Sequence, residues 1–445
     1  MEVHKMSQGN GDLAEFSPFL HIKEYRGHFI VINKECPRVI VVDKEGLEVL
    51  KLLVRGMRNE EICKVLQHKY KQEKILETIE AIHNSKILDF NCDIYRPPIH
   101  LKSIYFMITH ACNLQCLHCY AAAGNRYPQE LSDDEILACL EEARDLGLQS
   151  LVISGGEPLI RRSLVHNIAE WAWDNNIDLT VETNGILLRR EDIDIFKKYD
   201  VKVGISLDGS NPQTNDFIRG DGTFEKVITA IKLLVKNKLR VLVGFTLMKP
   251  NINDAENFID LVASLGIKWV DVNKLYLAGR ALKNKTILDI PIDTFIRTLI
   301  KMHERGKLKG VNITFESAFT KLFSDKRREF CGAARSFITI TPTGEVYPCF
   351  GFYALEKYKA GNIRTESLKT IWDSSPSLNE IRKLNLNDIP ACRDCAIRSI
   401  CGGGCLAEII KDHGSPYQMH SCTMFYREFY WRLIEYLANR VIDEN

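Results

Sequence analysis

The stretch from residue 101 to about residue 300 alternates short apolar runs with segments of helical periodicity, and this alternation most constrains the fold. The apolar runs predict strands at 104–108, 150–154, 179–182, 201–207, 240–248 and 269–275. One of the intervening helical segments begins with a capping box, Ser132 to Glu135. Strands that alternate with helices form a parallel sheet. Because a closed barrel of this kind needs eight strands, we predict an α/β fold with a partial (β/α)6 TIM-type barrel.

Three cysteines, Cys112, Cys116 and Cys119, follow the first predicted strand with the spacing C-x3-C-x2-C. Thiolates clustered on one loop select iron–sulfur clusters or zinc. A structural zinc site needs a fourth protein ligand, and His118 lies between two of the cysteines, where it cannot easily turn inward with both. A four-iron cluster held by three cysteines leaves one iron free to bind another molecule. We therefore favour iron over zinc.

Composition limits the class of protein and its surroundings. The chain has 445 residues, 45% apolar and 26% charged, as expected of a soluble globular protein with two to four domains. Its net charge of +1 gives no general attraction to nucleic acid or to anionic membranes. Neither a secretory signal nor a long apolar run is present, so the 14 cysteines favour a cytoplasmic protein that binds metal over one with disulfides.

Polar strings stand where the predicted strands end, as the site of such a barrel would require. S-G-G-E-P at 154–158 ends the second strand, E-T-N-G at 182–185 the third and S-L-D-G at 206–209 the fourth. Together with the cysteine string, they resemble the radical SAM superfamily. The resemblance implies that the free iron chelates the amino and carboxylate groups of S-adenosylmethionine (SAM). One electron then cleaves SAM to methionine and a 5′-deoxyadenosyl radical, which abstracts a hydrogen atom from the substrate.

The same resemblance assigns SAM-binding roles to individual residues. It implies that Gly155, Gly156 and Glu157 bind the amino group of SAM, and that Ser206 and Arg219 face its ribose and carboxylate; Asn184 completes the set. Two alternatives stay open. The G-G-E-P string could be a tight turn with a solvated glutamate, and Arg219 could be a surface charge at the end of a helix.

Seven of the fourteen cysteines fall in the last 115 residues, in the order C…G-x4-C…C-x2-C-x5-C-x3-C…C. This order resembles the SPASM domain, which holds auxiliary four-iron clusters, although a zinc ribbon is an alternative. The resemblance implies three [4Fe-4S] clusters in all, one that binds SAM and two auxiliary. The implied auxiliary ligand sets are Cys392, Cys395, Cys401 and Cys422 for one cluster and Cys331, Cys349 and Cys405 for the other. We expect the remaining cysteines to be small buried apolar groups: Cys36, Cys63, Cys92 and Cys139.

Residues 18–95 predict two strands, at 29–32 and 39–42, followed by three short helices at 46–53, 59–66 and 72–84. The order resembles a winged helix, and more closely the PqqD-like domain that captures the leader of a ribosomally made peptide by adding it to a sheet edge. Residues 18–92 contain 13 basic and 11 acidic side chains, without the row of basic residues that is typical of a DNA-binding domain. A purely structural cap is the alternative.

Two differences separate the chain from anaerobic sulfatase-maturing enzymes, which it otherwise resembles. These enzymes have a further cysteine in the stretch that is here 332–337, and an aspartate base where Phe350 stands. Both differences argue against sulfatase maturation. They also leave the cluster at Cys331, Cys349 and Cys405 without an identified fourth ligand.

The chain is thus expected to contain six segments: an N-terminal arm (1–17), a PqqD-like domain (18–95), a radical SAM core (101–300), a bridging region (301–330), a SPASM domain (331–422) and a C-terminal helix (423–445).

The sequence therefore predicts a peptide maturase related to sactisynthases and ranthipeptide enzymes. It would act on a precursor peptide with a leader, receive electrons from a flavodoxin- or ferredoxin-type donor, and form a thioether. Epimerisation, a carbon–carbon cross-link and decarboxylation remain open, because the same radical serves each of them. Modification of a small molecule such as a tetrapyrrole, and an iron–sulfur redox sensor that binds DNA, are alternatives from other classes.

Overall fold

A computed structural model describes residues 17–315, 326–353, 355–422 and 425–444, with only the backbone of Arg328. Nearly all of the expected N-terminal arm, part of the bridging region and the first two residues of the expected C-terminal segment lie outside these ranges. No helix in the described ranges is long and apolar enough to cross a membrane.

The strands of the described residues are labelled in chain order. They are β1 Leu20–Tyr25, β2 His28–Asn33, β3 Arg38–Val42, β4 Ile94–Tyr95, β5 Ser103–Met107, β6 Ser150–Ser154, β7 Asp178–Thr183, β8 Lys202–Ser206, β9 Arg240–Leu247, β10 Trp269–Lys274, β11 Asn312–Thr314, β12 Arg327–Arg328, β13 Phe337–Ile340, β14 Glu345–Tyr347 and β15 Gly361–Asn362.

The α-helices are labelled in the same way. They are α1 Lys44–Val54, α2 Asn59–Leu66, α3 Gln72–Asn84, α4 Asp133–Asp145, α5 Arg162–Asp174, α6 Arg190–Lys198, α7 Pro212–Arg219, α8 Thr223–Lys236, α9 Ala255–Ser264, α10 Gly279–Lys283, α11 Lys285–Leu288, α12 Ile292–Lys309, α13 Leu368–Ser374, α14 Pro376–Lys383, α15 Pro390–Arg393, α16 Arg398–Cys401, α17 Leu406–His413 and α18 Phe425–Glu444.

The described residues form two compact units, each assembled from separate stretches of the chain. One consists of 17–96, 326–331 and 385–444, and the other of 97–315 and 332–384. The cysteine-rich segment is thus divided between the two units. The linear division of the chain into domains stays a prediction.

The second unit is built on a ten-stranded sheet in the order β11-β10-β9-β8-β7-β6-β5-β13-β14-β15. The strands from β11 to β13 pair in parallel, and β14 and β15 continue the sheet antiparallel. The predicted α/β class with a large, mostly parallel sheet is therefore confirmed. The six predicted strands are β5 to β10, and each end is within one residue of its predicted position. The sheet is wider than predicted because β11 and β13 flank these six strands.

The two faces of this sheet differ, as alternating side chains require. One face is covered by helices such as α8 and contains fully buried apolar residues: Ile104, Phe106, Leu151, Ile153, Val181, Val203, Ile205, Val243, Phe245 and Val270. The opposite face presents the partly or fully accessible Tyr105, Glu182, Gly204 and Asn273. Since this open face is polar, it is the part of the sheet that can receive a ligand.

The other unit contains a three-stranded antiparallel sheet, β1-β2-β3, followed by α1 to α3. The predicted strands and helices of this block are present, and β1 was not predicted. Helix α1 is capped by Asp43, whose Oδ1 accepts a hydrogen bond of 2.8 Å from the Gly46 N–H. The winged-helix assignment stays a prediction.

Helix α18 packs on the sheet face that α1 to α3 leave free. The His21 and Trp431 rings lie 5.6 Å apart, and Lys23 forms an ion pair of 2.8 Å with Glu435. Ile30 and Ile32 of the central strand are fully buried as a result. The N-terminal sheet therefore has a covered apolar layer on both faces, and only its outer strands β1 and β3 are sheet edges.

Candidate functional site

The cysteine loop connects the end of β5 to α4, at the carboxyl edge of the parallel sheet. Cys116 is buried, whereas Cys112 and Cys119 are partly exposed. The loop has its own internal bonds: the Cys112 N–H donates to the Gly124 carbonyl at 2.8 Å, and the Gly124 N–H donates to the His110 carbonyl at 3.1 Å. These bonds close the loop between His110 and Gly124, which contains the three cysteines.

A buried carboxylate, Glu130, holds the start of this loop. It accepts hydrogen bonds from the His110 N–H at 2.7 Å and the Thr109 hydroxyl at 2.9 Å, and it pairs with Arg126 at 3.0 Å. The His110 ring stacks on Tyr127 with 3.9 Å between centroids. Sequence reasoning missed Glu130, because a glutamate at the end of a long loop has no motif around it.

The G-G-E string after β6 lies directly against the backbone of the cysteine loop. Gly156 N–H donates to the Thr109 carbonyl at 2.7 Å, and Glu157 N–H donates to the Ala111 carbonyl at 2.8 Å. A Cβ on Gly156 would stand 2.1 Å from the Ala111 oxygen, and one on Gly155 2.4 Å from the Thr109 oxygen. No side chain fits at these distances. The glycines thus permit close approach of the cysteine loop.

The Glu157 carboxylate is fully buried and bonded to protein. It accepts hydrogen bonds from the Leu159 N–H at 3.0 Å, the Thr183 hydroxyl at 2.8 Å and the Asn184 N–H at 2.8 Å. Burial raises the pKa of Glu157 to about 7. Glu157 therefore ties the end of β7 to the turn after β6, and the solvated glutamate of a simple turn is the wrong interpretation.

Asn184 extends this connection to the cysteine loop. Its Nδ2 donates to Asn113 Oδ1 at 2.9 Å and lies 4.0 Å from the Cys112 sulfur. Its own Oδ1 accepts a bond from the Ile186 N–H at 3.0 Å. Ser206 is half-buried at the end of β8, on the open face of the sheet.

Arg219 lies buried beneath the cysteine loop, so its interpretation as a surface charge is wrong. Its Nε is 2.7 Å from Asp208 Oδ2, and the same carboxylate oxygen is 3.5 Å from His118 Nε2. The Arg219 carbonyl accepts from the Cys116 thiol at 3.9 Å. Burial lowers the pKa of His118 to about 4. Arg219 is therefore paired with Asp208, which the motif alone did not indicate.

The open face of the sheet adds polar and aromatic groups beside the cysteine loop. The Tyr105 hydroxyl is hydrogen-bonded to Ser154 at 2.7 Å and to Glu182 Oε2 at 2.8 Å. Tyr120, next to Cys119, and Phe350, next to Cys349, have ring centroids 6.2 Å apart. The sequence analysis did not name Tyr120, and it named Phe350 only as the residue that stands in place of an aspartate base, because aromatic residues without fixed spacing resemble ordinary core residues.

The donor atoms of the loop fit an iron–sulfur cluster. Burial raises the pKa of the Cys112 thiol to about 11 and that of Cys116 in the same direction. Such thiols lose their protons when a metal takes the proton's place. Within the described ranges, no three His, Cys, Asp or Glu side chains converge on one ion position. The loop suits an iron–sulfur cluster because it carries three cysteine sulfurs, which are soft ligands, within one short segment.

A cavity in the first unit gathers four C-terminal cysteines, which are Cys392, Cys395, Cys401 and Cys422. They are the set that the SPASM resemblance implies for one complete cluster. Successive glycines Gly402, Gly403 and Gly404 have φ of 63°, 92° and 62°, so the chain turns sharply after Cys401.

The remaining seven cysteines lie outside the cysteine loop and the four-cysteine cavity. Cys331 is exposed and Cys405 partly exposed in this unit, and Cys349 belongs to the second unit. Cys36, Cys63 and Cys139 are buried, as expected of apolar groups. Cys92 is only partly buried, and its thiol donates to the Glu35 carbonyl at 3.3 Å.

Family models match two parts of the chain. The model of the radical SAM superfamily matches residues 106–262, which contain β6 to β9 and the cysteine loop. The model of the SPASM iron–sulfur cluster-binding domain matches residues 331–396.

Three known proteins illustrate the similarity. The mycofactocin maturase MftC of Mycolicibacterium smegmatis is 27% identical over 323 residues, which cover 67% of this chain and 76% of MftC. The AdoMet-dependent heme synthase of Methanosarcina barkeri is 26% identical, over 68% of this chain and 90% of the synthase. The crystal structure of SuiB from Streptococcus suis with S-adenosylmethionine has a TM-score of 0.60 at 19% identity, over 92% of this chain and 99% of SuiB.

The glycine contact leads to a prediction. Gly156→Ala should lower SAM cleavage by about 100-fold, because a methyl group there displaces the cysteine loop by an ångström or more. Gly124→Ala is the matched control on the same loop, since a Cβ at Gly124 would meet nothing within 4 Å. It should stay within about twofold of the unsubstituted protein. The measurement is the rate of 5′-deoxyadenosine formation with dithionite. Equal activities of the two variants would contradict the proposed contact.

The loop of three thiols, the strand ends bonded to it and the four-cysteine cavity agree with the two domain matches. SAM and [4Fe-4S] clusters are therefore the cofactors of this chain. The chain combines a radical SAM domain with a SPASM iron–sulfur cluster-binding domain.

Proposed function

We propose that the protein modifies a ribosomally made precursor peptide by radical chemistry, and that the product is a thioether cross-link. The observation that carries the proposal is the docking of the cysteine loop on the ends of β6 and β7, beside an open polar sheet face. A cluster on this loop would have room for a substrate next to it. MftC is named as a maturase, and SuiB has been solved with the precursor peptide SuiA, which supports a peptide substrate.

The proposed SAM site uses residues of the cysteine loop and its neighbours. Cys112, Cys116 and Cys119 would hold the cluster, with Asn184 and Ser206 close to the bound SAM. When bound, the cluster and SAM would supply the radical chemistry that removes a hydrogen atom from the substrate. The described contacts of Gly155, Gly156, Glu157 and Arg219 position the cysteine loop and the strand ends. Their binding to SAM, which the resemblance implies, stays a prediction.

The open sheet face would receive the peptide segment that is modified. Formation of a thioether from a thiol and a C–H bond removes two hydrogens, so one proton must leave besides the abstracted hydrogen atom. Two carboxylates, Glu182 and Asp271, lie on this face, and Glu182 is accessible although desolvation, and after it the charge of Asp271, raise its pKa. We propose that Glu182, hydrogen-bonded to Tyr105, accepts this proton.

The auxiliary clusters would remove the remaining electron. The four-cysteine cavity suits a fully ligated cluster that would relay electrons. A flavodoxin- or ferredoxin-type partner would donate the electron that SAM cleavage consumes. The resemblance implies that the other cluster has Cys331, Cys349 and Cys405 as ligands, and three cysteines would leave one of its irons open; this set stays a prediction. That iron could bind the substrate thiolate, which would lower the pKa of the thiol and fix the sulfur for bond formation. A protein or water ligand that closes this iron is the alternative.

The N-terminal sheet would recognise the leader. Its two faces are covered, whereas β1 and β3 pair with no additional strand among the described residues. An edge strand presents unpaired N–H and C=O groups to which a peptide can add as a further strand. We therefore propose that residues 18–95 bind the leader in the cytoplasm, where the precursor is made. The balanced charge of this block disfavours a DNA-binding role.

A second candidate is the modification of a tetrapyrrole, and the similarity to the heme synthase favours it. The two candidates differ in substrate: a tetrapyrrole enzyme has no use for a sheet edge that binds a leader. Turnover of a tetrapyrrole in the absence of any peptide would support this second candidate.

The product should be visible by mass. A Cys-containing precursor encoded beside this gene should lose the mass of two hydrogen atoms when it is coexpressed with the protein. The loss should disappear when Cys112, Cys116 and Cys119 are all changed to alanine, because the radical then cannot form. A Cys→Ser precursor is the control for the thioether. An unchanged mass for every neighbouring precursor would contradict the proposal, and a mass change that persists in the Cys→Ser peptide would contradict the thioether.

Leader binding should protect one edge strand from hydrogen exchange. Addition of the leader peptide to the full-length protein should slow amide exchange in either β1 or β3, because outward N–H groups of an edge strand are unbonded until a further strand adds. The central strand β2 is the internal control and should not change. Hydrogen exchange followed by mass spectrometry measures the effect. Unaltered exchange throughout residues 20–42 at saturating leader would contradict recognition by this sheet.

A further inference from the structure

Arg398 lies between the N-terminal sheet and the four-cysteine cavity, within one compact unit. It lines the cavity together with Cys392, Cys395, Cys401 and Cys422. Its side chain is 13% exposed, and its Nη2 pairs with Glu35 Oε2 at 2.8 Å. Its Nη1 donates to the Arg393 carbonyl at 2.6 Å. The guanidinium is therefore held by its two terminal nitrogens.

The third guanidinium nitrogen has a different environment. Arg398 Nε is buried and has no hydrogen-bond partner among the described residues. A buried N–H without a partner costs about 1–3 kcal/mol, so such groups usually face a ligand or a water. An acceptor within the cavity would satisfy this N–H.

Glu35 is itself fixed, so it can hold Arg398 in place. Its carboxylate also accepts from Arg327 at 2.8 Å, and its backbone N–H donates to Asn33 Oδ1 at 2.9 Å. A second bond joins the same two segments, because the Ser399 hydroxyl donates to the Asn33 carbonyl at 2.8 Å. The turn between β2 and β3 is thus bonded to the first residues of α16, beside the cysteines.

We propose that Arg398 donates its Nε–H to the auxiliary cluster held by Cys392, Cys395, Cys401 and Cys422, and that Glu35 positions it for this. Arg398 then raises the reduction potential of that cluster. A cluster gains negative charge on reduction, and a hydrogen-bond donor with a positive charge stabilises the reduced form. The inference rests on the proposed cluster in this cavity. Through Glu35, the turn between β2 and β3 would then contribute to the electrostatic environment of the cluster.

The test compares two arginines of the same cysteine loop. Arg398→Gln and Arg393→Gln each remove one positive charge close to the same cysteines, but Arg393 is exposed and does not line the cavity. Both are made in a protein that has Cys112, Cys116 and Cys119 changed to alanine, so that only auxiliary clusters remain. A redox titration followed by electron paramagnetic resonance measures the midpoint potentials. Cys401→Ser identifies the transition that belongs to the cavity cluster.

The expected result is a more negative midpoint for that transition in Arg398→Gln and an unchanged midpoint in Arg393→Gln. Equal midpoints in the two variants would overturn the role of Arg398. If Arg398→Gln loses iron, the Arg398→Lys variant replaces it in the test, because lysine keeps the positive charge but lacks the Nε–H. A lowered midpoint potential in Arg398→Lys would support hydrogen-bond donation by Nε. An unaltered midpoint potential would overturn it. Iron and sulfide analysis separates this outcome from failure of the proposed function. If Cys401→Ser neither removes a cluster nor shifts any midpoint potential, the cavity assignment itself is wrong.

Discussion

The close contact between Gly155–Gly156 and the backbone of Thr109 and Ala111 is the constraint on which the rest of the site depends. Two backbone hydrogen bonds join the end of β6 to the cysteine loop, at distances that exclude any side chain. The contact sets the position of Glu157, which in turn bonds the end of β7. A loop that would otherwise be free to move is therefore fixed by two neighbouring strands of a rigid sheet, as a site with three metal ligands requires.

Buried charges support the same loop from its other sides. Glu130 holds its first residues, and the ion pair of Asp208 and Arg219 lies beneath Cys116. Removing one member of a buried pair leaves an uncompensated charge, which typically costs about 3–5 kcal/mol. These residues are costly to bury and bind no substrate in the proposed scheme. Their contribution is to hold the loop that carries the three thiols.

The strand–helix alternation and the cysteine spacing predicted the parallel sheet and the place of the site, because both depend on local periodicity. Strand β1 was not predicted, because its alternation of apolar and polar residues is short and ends in polar residues. The contacts of Glu157 and Arg219 could not be read from the sequence, because they depend on which distant segment fills the neighbouring space. The same holds for Glu130, and for the bond between Glu35 and Arg398, whose partners are separated by more than 300 residues.

The central claim is that the loop of Cys112, Cys116 and Cys119 leaves one iron of its cluster open and that SAM binds there. Electron–nuclear double resonance on the reduced protein, with SAM labelled with nitrogen-15 at its amino group, tests this directly. The account predicts a coupling between that nitrogen and the cluster, which is absent in a protein that has these three cysteines changed to alanine. A reduced loop cluster that shows no nitrogen coupling at saturating SAM would contradict the account.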